Sequence, residues 1–101
     1  MGRMLEKLTY EDFSGRIGEE FRLDGPSGPL ALVLAEATSL ASRDGAGPRR
    51  SPFSLVFRGP FQPALPQRIW SLGHAALGRL EVFLVPIGPD GGGMRYEAVF
   101  N

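Results

Sequence analysis

The sequence predicts a mainly β protein, with about six mostly antiparallel strands and one short N-terminal helix. Two observations carry this prediction. Apolar and polar residues alternate with a period of two in several short runs, which is typical of half-buried strands. Gly and Pro, 14 and 9 of 101 residues, cluster between those runs, as in all-β chains with many turns. The short connections favour a small barrel or a two-layer roll.

Length and composition limit the classes of protein. At 101 residues the chain fits a single β-rich domain, residues 1–101, with one core. Basic and acidic residues both number 11, so no basic excess predicts nucleic-acid binding. The chain has no cysteine, which excludes disulfides and thiolate metal sites. No apolar run has the length of a signal peptide or a membrane span, so the cytoplasm is the expected location and membrane insertion is not expected; export within an assembly stays open.

The first predicted element is a short helix over residues 8–13. Thr9 is placed to cap it, and Asp12, three residues later, completes a capping box. Leu8 and Phe13 have the spacing of a hydrophobic staple. We expect this helix to close one end of a sheet or barrel.

Residues 19–23 alternate as a first strand, with Phe21 and Leu23 directed inward, and the Gly- and Pro-rich residues 24–29 form its turn. Residues 30–40 are predicted as the second strand, although their Leu and Ala content also favours helix. We predict a strand because the leucines alternate strictly with smaller residues. One face carries Leu30, Leu32 and Leu34, continued by Glu36 and Thr38; the other carries Ala31, Val33, Ala35 and Ala37.

The middle of the chain predicts a loop and two further strands. Residues 41–51 are polar and contain Gly and Pro, so they form a loop. Residues 53–58 alternate cleanly as a strand. After a proline-rich stretch, residues 67–72 form another strand, which carries Trp70 and Leu72.

The strongest run is residues 79–88, which is apolar at both parities. A strand of this kind is expected in the middle of a structure, paired on both sides. Residues 89–93, rich in glycine, form a hairpin loop to the last strand, residues 94–100, where Tyr96 points inward.

Catalytic signals are weak, and we do not predict an enzyme. His74 is the single histidine, so the chain has neither a histidine cluster for a metal nor a histidine relay. No serine lies in a G-x-S-x-G setting, and no carboxylate pair has a supporting pattern. A lone histidine beside a turn is typical of a hydrogen-bonded structural residue. No cofactor is expected.

Two predicted strands contain more apolar residues than one core can bury, and this excess indicates how the protein acts. Residues 30–37 and 80–87 are apolar on both faces, which exceeds what one small core requires. We therefore expect self-association or docking to another protein through an outer apolar face. The candidate interface residues are Val33, Phe83, Val85 and Ile87.

The alternative is a monomeric barrel that binds a small apolar or sugar ligand inside. Trp70 and Tyr96 are the candidate cavity residues for this function. The aromatic residues also fit a stacking platform for single-stranded nucleic acid, but the neutral charge and the inward parity of most aromatics favour core packing.

Several motifs resemble an uncharacterised family of small bacterial proteins, a domain of unknown function. They are residues 8–13 (LTYEDF), 52–60 (PFSLVFRGP), 65–74 (LPQRIWSLGH), 83–88 (FLVPIG) and 96–101 (YEAVFN). The resemblance implies no catalytic residues. Members are often encoded beside phage-tail-collar-like proteins, which implies an accessory role in a phage-tail-like or extracellular fibre system, with a tail-collar-like protein as a possible partner.

Overall fold

One short helix and six strands make up the part of the chain that the structure describes. The structure is a computed structural model and describes residues 8–26, 28–40 and 52–100. The elements are α1 (Tyr10–Ser14), β1 (Glu20–Gly25), β2 (Gly28–Ser39), β3 (Phe53–Gly59), β4 (Arg68–His74), β5 (Gly78–Asp90) and β6 (Gly93–Phe100). The predicted fold class is confirmed, whereas the predicted loop over residues 41–51 lies outside the described residues.

The strands close into a barrel in the order β1-β2-β3-β6-β5-β4, and β4 pairs with β1. Every neighbouring pair is antiparallel. Of the two predicted architectures, the structure is therefore the barrel. β2 and β5 lie three steps apart in either direction around it, so they form opposite walls. β1 and β4 share a single residue pair, Arg22 with Gly73.

Helix α1 closes one end of the barrel. The backbone N–H of Thr9 donates to Oδ2 of Asp12 at 2.8 Å, which is the predicted interaction of the first turn. Phe13 is fully buried, and its ring packs against three aromatic rings of the barrel: Phe21, Phe53 and Phe100. Because β3 starts and β6 ends at this end of the barrel, the helix covers the opening there.

A bulge in β2 corrects the predicted faces of that strand. Leu32 and Leu34 are buried on one face, as their shared parity predicts, but the pairing with β3 shifts between Leu34 and Glu36. Beyond the shift Ala37 packs against the core and Glu36 is exposed, whereas the prediction placed Glu36 on the face of Leu32 and Leu34 and Ala37 on the other face. One extra residue in a strand reverses the parity of all that follow it, which a strict period of two does not anticipate.

β5 is longer than predicted and is covered on one face only. It runs to Asp90, so the turn to β6 is residues 91–92 rather than the predicted five-residue loop. Its inward row is buried: Leu80, Val82 and Leu84. Phe83 and Ile87 are exposed, so no other part of the described chain covers the outward row of this strand. The barrel interior takes up the inward row alone.

Candidate functional site

Apolar side chains stand on the outer surface of the wall formed by β4, β5 and β6. Ile69 of β4 pairs directly with Phe83 of β5, and the two side chains are 62% and 48% exposed. Residues directly opposite one another in an antiparallel pair project on the same face and contact each other. We define the outer patch as Ile69, Phe83, Val85, Ile87 and Val99.

Val99 joins the patch from β6. Val85 pairs with Glu97, and Val99 follows Glu97 by two residues. Because β5 and β6 are antiparallel, this register places Val99 beside Phe83 on the outer surface. Val99 is exposed and Val85 is half-buried. The outer patch therefore spans three adjacent strands.

Three of the four residues predicted as an interface belong to the outer patch: Phe83, Val85 and Ile87. Val33 does not, because it lies on β2, on the opposite wall of the barrel. There it is half-buried and pairs with Glu20 on one side and Arg58 on the other. The structure thus divides the predicted set between two walls.

Ile69 and Val99 are not among the interface residues predicted from the sequence. Ile69 precedes the buried Trp70 and Val99 precedes the buried Phe100. Because side chains alternate between the two faces of a strand, these positions in the sequence indicate that Ile69 and Val99 point outward. Parity shows that a residue points outward. That the two residues flank Phe83 follows only from the strand pairing.

Trp70 and Tyr96, predicted to line a ligand cavity, lie in the barrel core. They are 5% and 1% exposed. The backbone N–H of Leu65 donates to the hydroxyl of Tyr96 at 2.9 Å, and Nε1 of Trp70 donates to the carbonyl oxygen of Pro66 at 3.0 Å. The segment before β4 therefore satisfies the polar atoms of both rings.

The closure between β1 and β4 leaves a groove on the barrel surface. Its main part has a volume of about 800 Å³, and a neighbouring depression has about 250 Å³. We call the two together the seam groove. Both parts are lined by Arg22, Gly73 and Arg79. Since one residue pair joins β1 to β4, the seam is the least paired junction of the barrel.

His74 lies on one side of the seam groove and forms hydrogen bonds through both ring nitrogens. Its side chain is almost fully buried, and Nε2 lies 2.6 Å from Oε1 of Glu19. Nδ1 accepts the backbone N–H groups of Ala76 and Leu77, at 3.0 and 3.1 Å. With both bonds accepted at Nδ1, the ring hydrogen stands on Nε2 and is donated to the Glu19 carboxylate. His74 is therefore a hydrogen-bonded residue beside a turn, as expected from the sequence.

Residues 8–26, 28–40 and 52–100 contain no group of three or more His, Asp or Glu side chains that could hold a metal ion. No helix in these ranges has the length and apolar character needed to cross a membrane.

Comparisons with known proteins identify one family. Residues 8–100 match the family described as Domain of unknown function (DUF6916). No curated protein matches the chain. No solved structure matches it either. The match includes the helix and all six described strands, which confirms the predicted membership of an uncharacterised family. The chain belongs to the DUF6916 family.

Proposed function

We propose that this protein is a non-enzymatic assembly protein that associates with a second copy of itself through the outer patch. The observation that carries the proposal is the exposed pair of Ile69 and Phe83 on one outer sheet face. Removing apolar surface from water favours association. Contiguous exposed apolar residues on a sheet face are typical of interaction surfaces.

The charges beside the patch fit a second copy of the chain. The formal net charge is zero, so two copies do not repel each other strongly. Glu81 is exposed at one end of the outward row of β5, and Arg95, paired with Gly88, lies at the other end. If two copies meet about a two-fold axis with antiparallel β5 strands, Glu81 of each copy lies near Arg95 of the other.

The test is the mass in solution, measured by light scattering coupled to size exclusion over a range of concentrations. We expect the wild-type mass to rise from the monomer value of 10.9 kDa to twice that value. Phe83→Lys is expected to remain monomeric, because it places a charge at the centre of the patch. Ile17→Lys is the matched control, since Ile17 is similarly exposed, 53% against 48% for Phe83, but lies outside the patch.

A charge exchange tests the orientation of the two copies. Glu81→Arg is expected to weaken association, and the double variant Glu81→Arg/Arg95→Glu to restore it. Circular dichroism of each variant shows whether the barrel is retained. A wild-type protein that is monomeric at every concentration overturns self-association and leaves the patch for a different protein. A Phe83→Lys variant that still dimerises overturns the outer patch as the interface between copies.

We further propose, from the sequence resemblance, that this association serves a phage-tail-like or extracellular fibre system of a bacterium. A tail-collar-like protein is the proposed partner in that system. Co-purification of the two proteins tests this proposal, with Phe83→Lys as the variant in which capture is lost. Capture that Phe83→Lys does not change would place the contact elsewhere on the barrel.

The alternative function, a barrel that binds a small ligand beside Trp70 and Tyr96, stays a prediction. A ligand between these rings would have to displace the segment that carries Leu65 and Pro66, since that segment bonds to both rings. Trp70 is the single tryptophan, so a ligand-dependent change of its fluorescence in the monomer would support this alternative.

A further inference from the structure

Two arginines flank a glycine on the outer surface of the seam groove. Gly73 pairs with Arg22 of β1 on one side and with Arg79 of β5 on the other. Residues that face each other across antiparallel strands project on the same side of the sheet. Arg22 and Arg79 therefore leave the barrel on the same side, with no side chain between them. Both arginines line both parts of the seam groove.

Packing does not account for the glycine at position 73. A methyl group there would meet only the backbone oxygen of Arg22, at 3.8 Å, which is an ordinary van der Waals contact. Gly73 is also not among the glycines with positive φ. Glycine within a strand is less favourable than a residue with a side chain. The gap between the two arginines is thus a feature that fold stability does not require.

The guanidinium groups of Arg22 and Arg79 have N–H donors that form no hydrogen bond within the described part of the protein. Nη2 of Arg22 lies 3.3 Å from Oε1 of Glu20, and both side chains are largely exposed, so this ion pair is weak. Nη1 of Arg79 donates to Oγ of Ser71 at 2.9 Å. Arg79 forms no ion pair with any residue that the structure describes. Each guanidinium has five N–H donors, so most of them are available to a ligand.

Acidic neighbours limit the ligand to one anionic group. Glu20 and Asp24 stand two residues before and after Arg22 on β1. Glu81, which pairs with Ser71, stands two residues after Arg79 on β5. A polyanion laid along the groove would meet these carboxylates, whereas a single carboxylate or phosphate fits between the arginines.

We propose that the seam groove binds one oxyanion group, a carboxylate or a phosphate, held by Arg22 and Arg79 over Gly73. Planar guanidinium groups bind such oxyanions through paired N–H donors. This proposal is independent of self-association, because it concerns different residues from those of the outer patch.

The test is a titration of the isotopically labelled full chain, followed by amide and arginine side-chain NMR signals. Inorganic phosphate is one probe, and an acetylated and amidated Gly-Glu-Gly peptide is the other. We expect saturable shifts at Gly73 and at the Nε–H groups of Arg22 and Arg79. Either Arg22→Gln or Arg79→Gln is expected to weaken binding about tenfold. Arg68→Gln, at a residue that lines neither part of the groove and lies outside the outer patch, is expected to leave binding unchanged.

Gly73→Val provides a second, independent variant. Valine suits a strand and fills the gap, so we expect the barrel signals to be kept and binding to be lost. Saturable binding of phosphate alone assigns the groove to phosphate groups, and binding of the peptide alone assigns it to carboxylates. The proposal is overturned if the shifts do not saturate or if sodium chloride reproduces them at equal ionic strength. It is also overturned if Arg68→Gln weakens binding as much as Arg22→Gln and Arg79→Gln do.

Discussion

Arg58 of β3 and Asp90 of β5 form an ion pair across the end of β6, which lies between their strands. Nη2 of Arg58 donates to Oδ2 of Asp90 at 2.6 Å, and Nε donates to the same oxygen at 3.1 Å. Oδ1 of Asp90 accepts the backbone N–H groups of Gly92 and Gly93, at 2.7 and 3.0 Å. One carboxylate therefore shapes the turn between β5 and β6 and ties it to β3.

This arrangement predicts acid sensitivity. The hydrogen bond from Arg58, followed by that from the Gly92 N–H, lowers the pKa of Asp90 from 3.8 to about 2. Because the folded pKa lies below the unfolded one, the stabilisation is present above the unfolded pKa and is lost as the pH falls toward the folded pKa. We expect Asp90→Asn to be less stable than wild type at about pH 5 and the difference to shrink by about pH 2. Urea unfolding at several pH values measures it, and a pH-independent difference would contradict the assignment.

Gly93 is expected to tolerate no side chain. Its φ is +153°, and a Cβ atom there would overlap the carbonyl oxygen of Gly59. Gly93→Ala should lower the free energy of unfolding by about 3 kcal/mol, because the clash is with backbone. Gly91→Ala is the matched control in the same turn, since a Cβ there has no neighbour within 4 Å. Equal losses of stability in the two variants would argue against this explanation.

His74 is expected to stabilise the barrel mainly through two separate hydrogen-bonding functions. His74→Ala removes the acceptor for the Ala76 and Leu77 N–H groups as well as the donor to Glu19, at an expected cost of about 2 kcal/mol. His74→Asn keeps an acceptor near the turn, so its expected cost is about 1 kcal/mol. Denaturant unfolding measures both. A larger loss for Asn than for Ala would show that the turn is not held through Nδ1.

The hydroxyl of Tyr96 is expected to hold the segment before β4. Tyr96→Phe leaves the buried N–H of Leu65 without its acceptor, which should cost about 1–2 kcal/mol. The fluorescence of Trp70 should change as well, because the adjoining Pro66 carbonyl accepts its indole N–H. Unchanged stability and emission would mean that this segment is held by the packing of Leu65 alone.

Several features were predictable because local patterns specify them. The Thr9–Asp12 cap, the inward rows of the strands and the outward position of Phe83 each depend on residues a few positions apart. The bulge after Leu34 was not predictable, since the neighbouring strand, rather than β2 alone, determines where an extra residue is accommodated. The candidate sites were likewise predictable only in part. Parity shows that Arg22 points outward, but not that Gly73 and Arg79 lie beside it.

The sequence by itself determined the fold class, the approximate bounds of the strands and the apolar surplus of β5, because period-two patterning and turn residues act within one segment. Only the tertiary structure decided that the sheet closes, that β2 and β5 form opposite walls and that one pair joins β1 to β4. Barrel closure depends on strand number, tilt and register together, and these arise from contacts between distant segments. For that reason Val33 was grouped with Phe83 in the sequence and is separated from it by the width of the barrel in the structure.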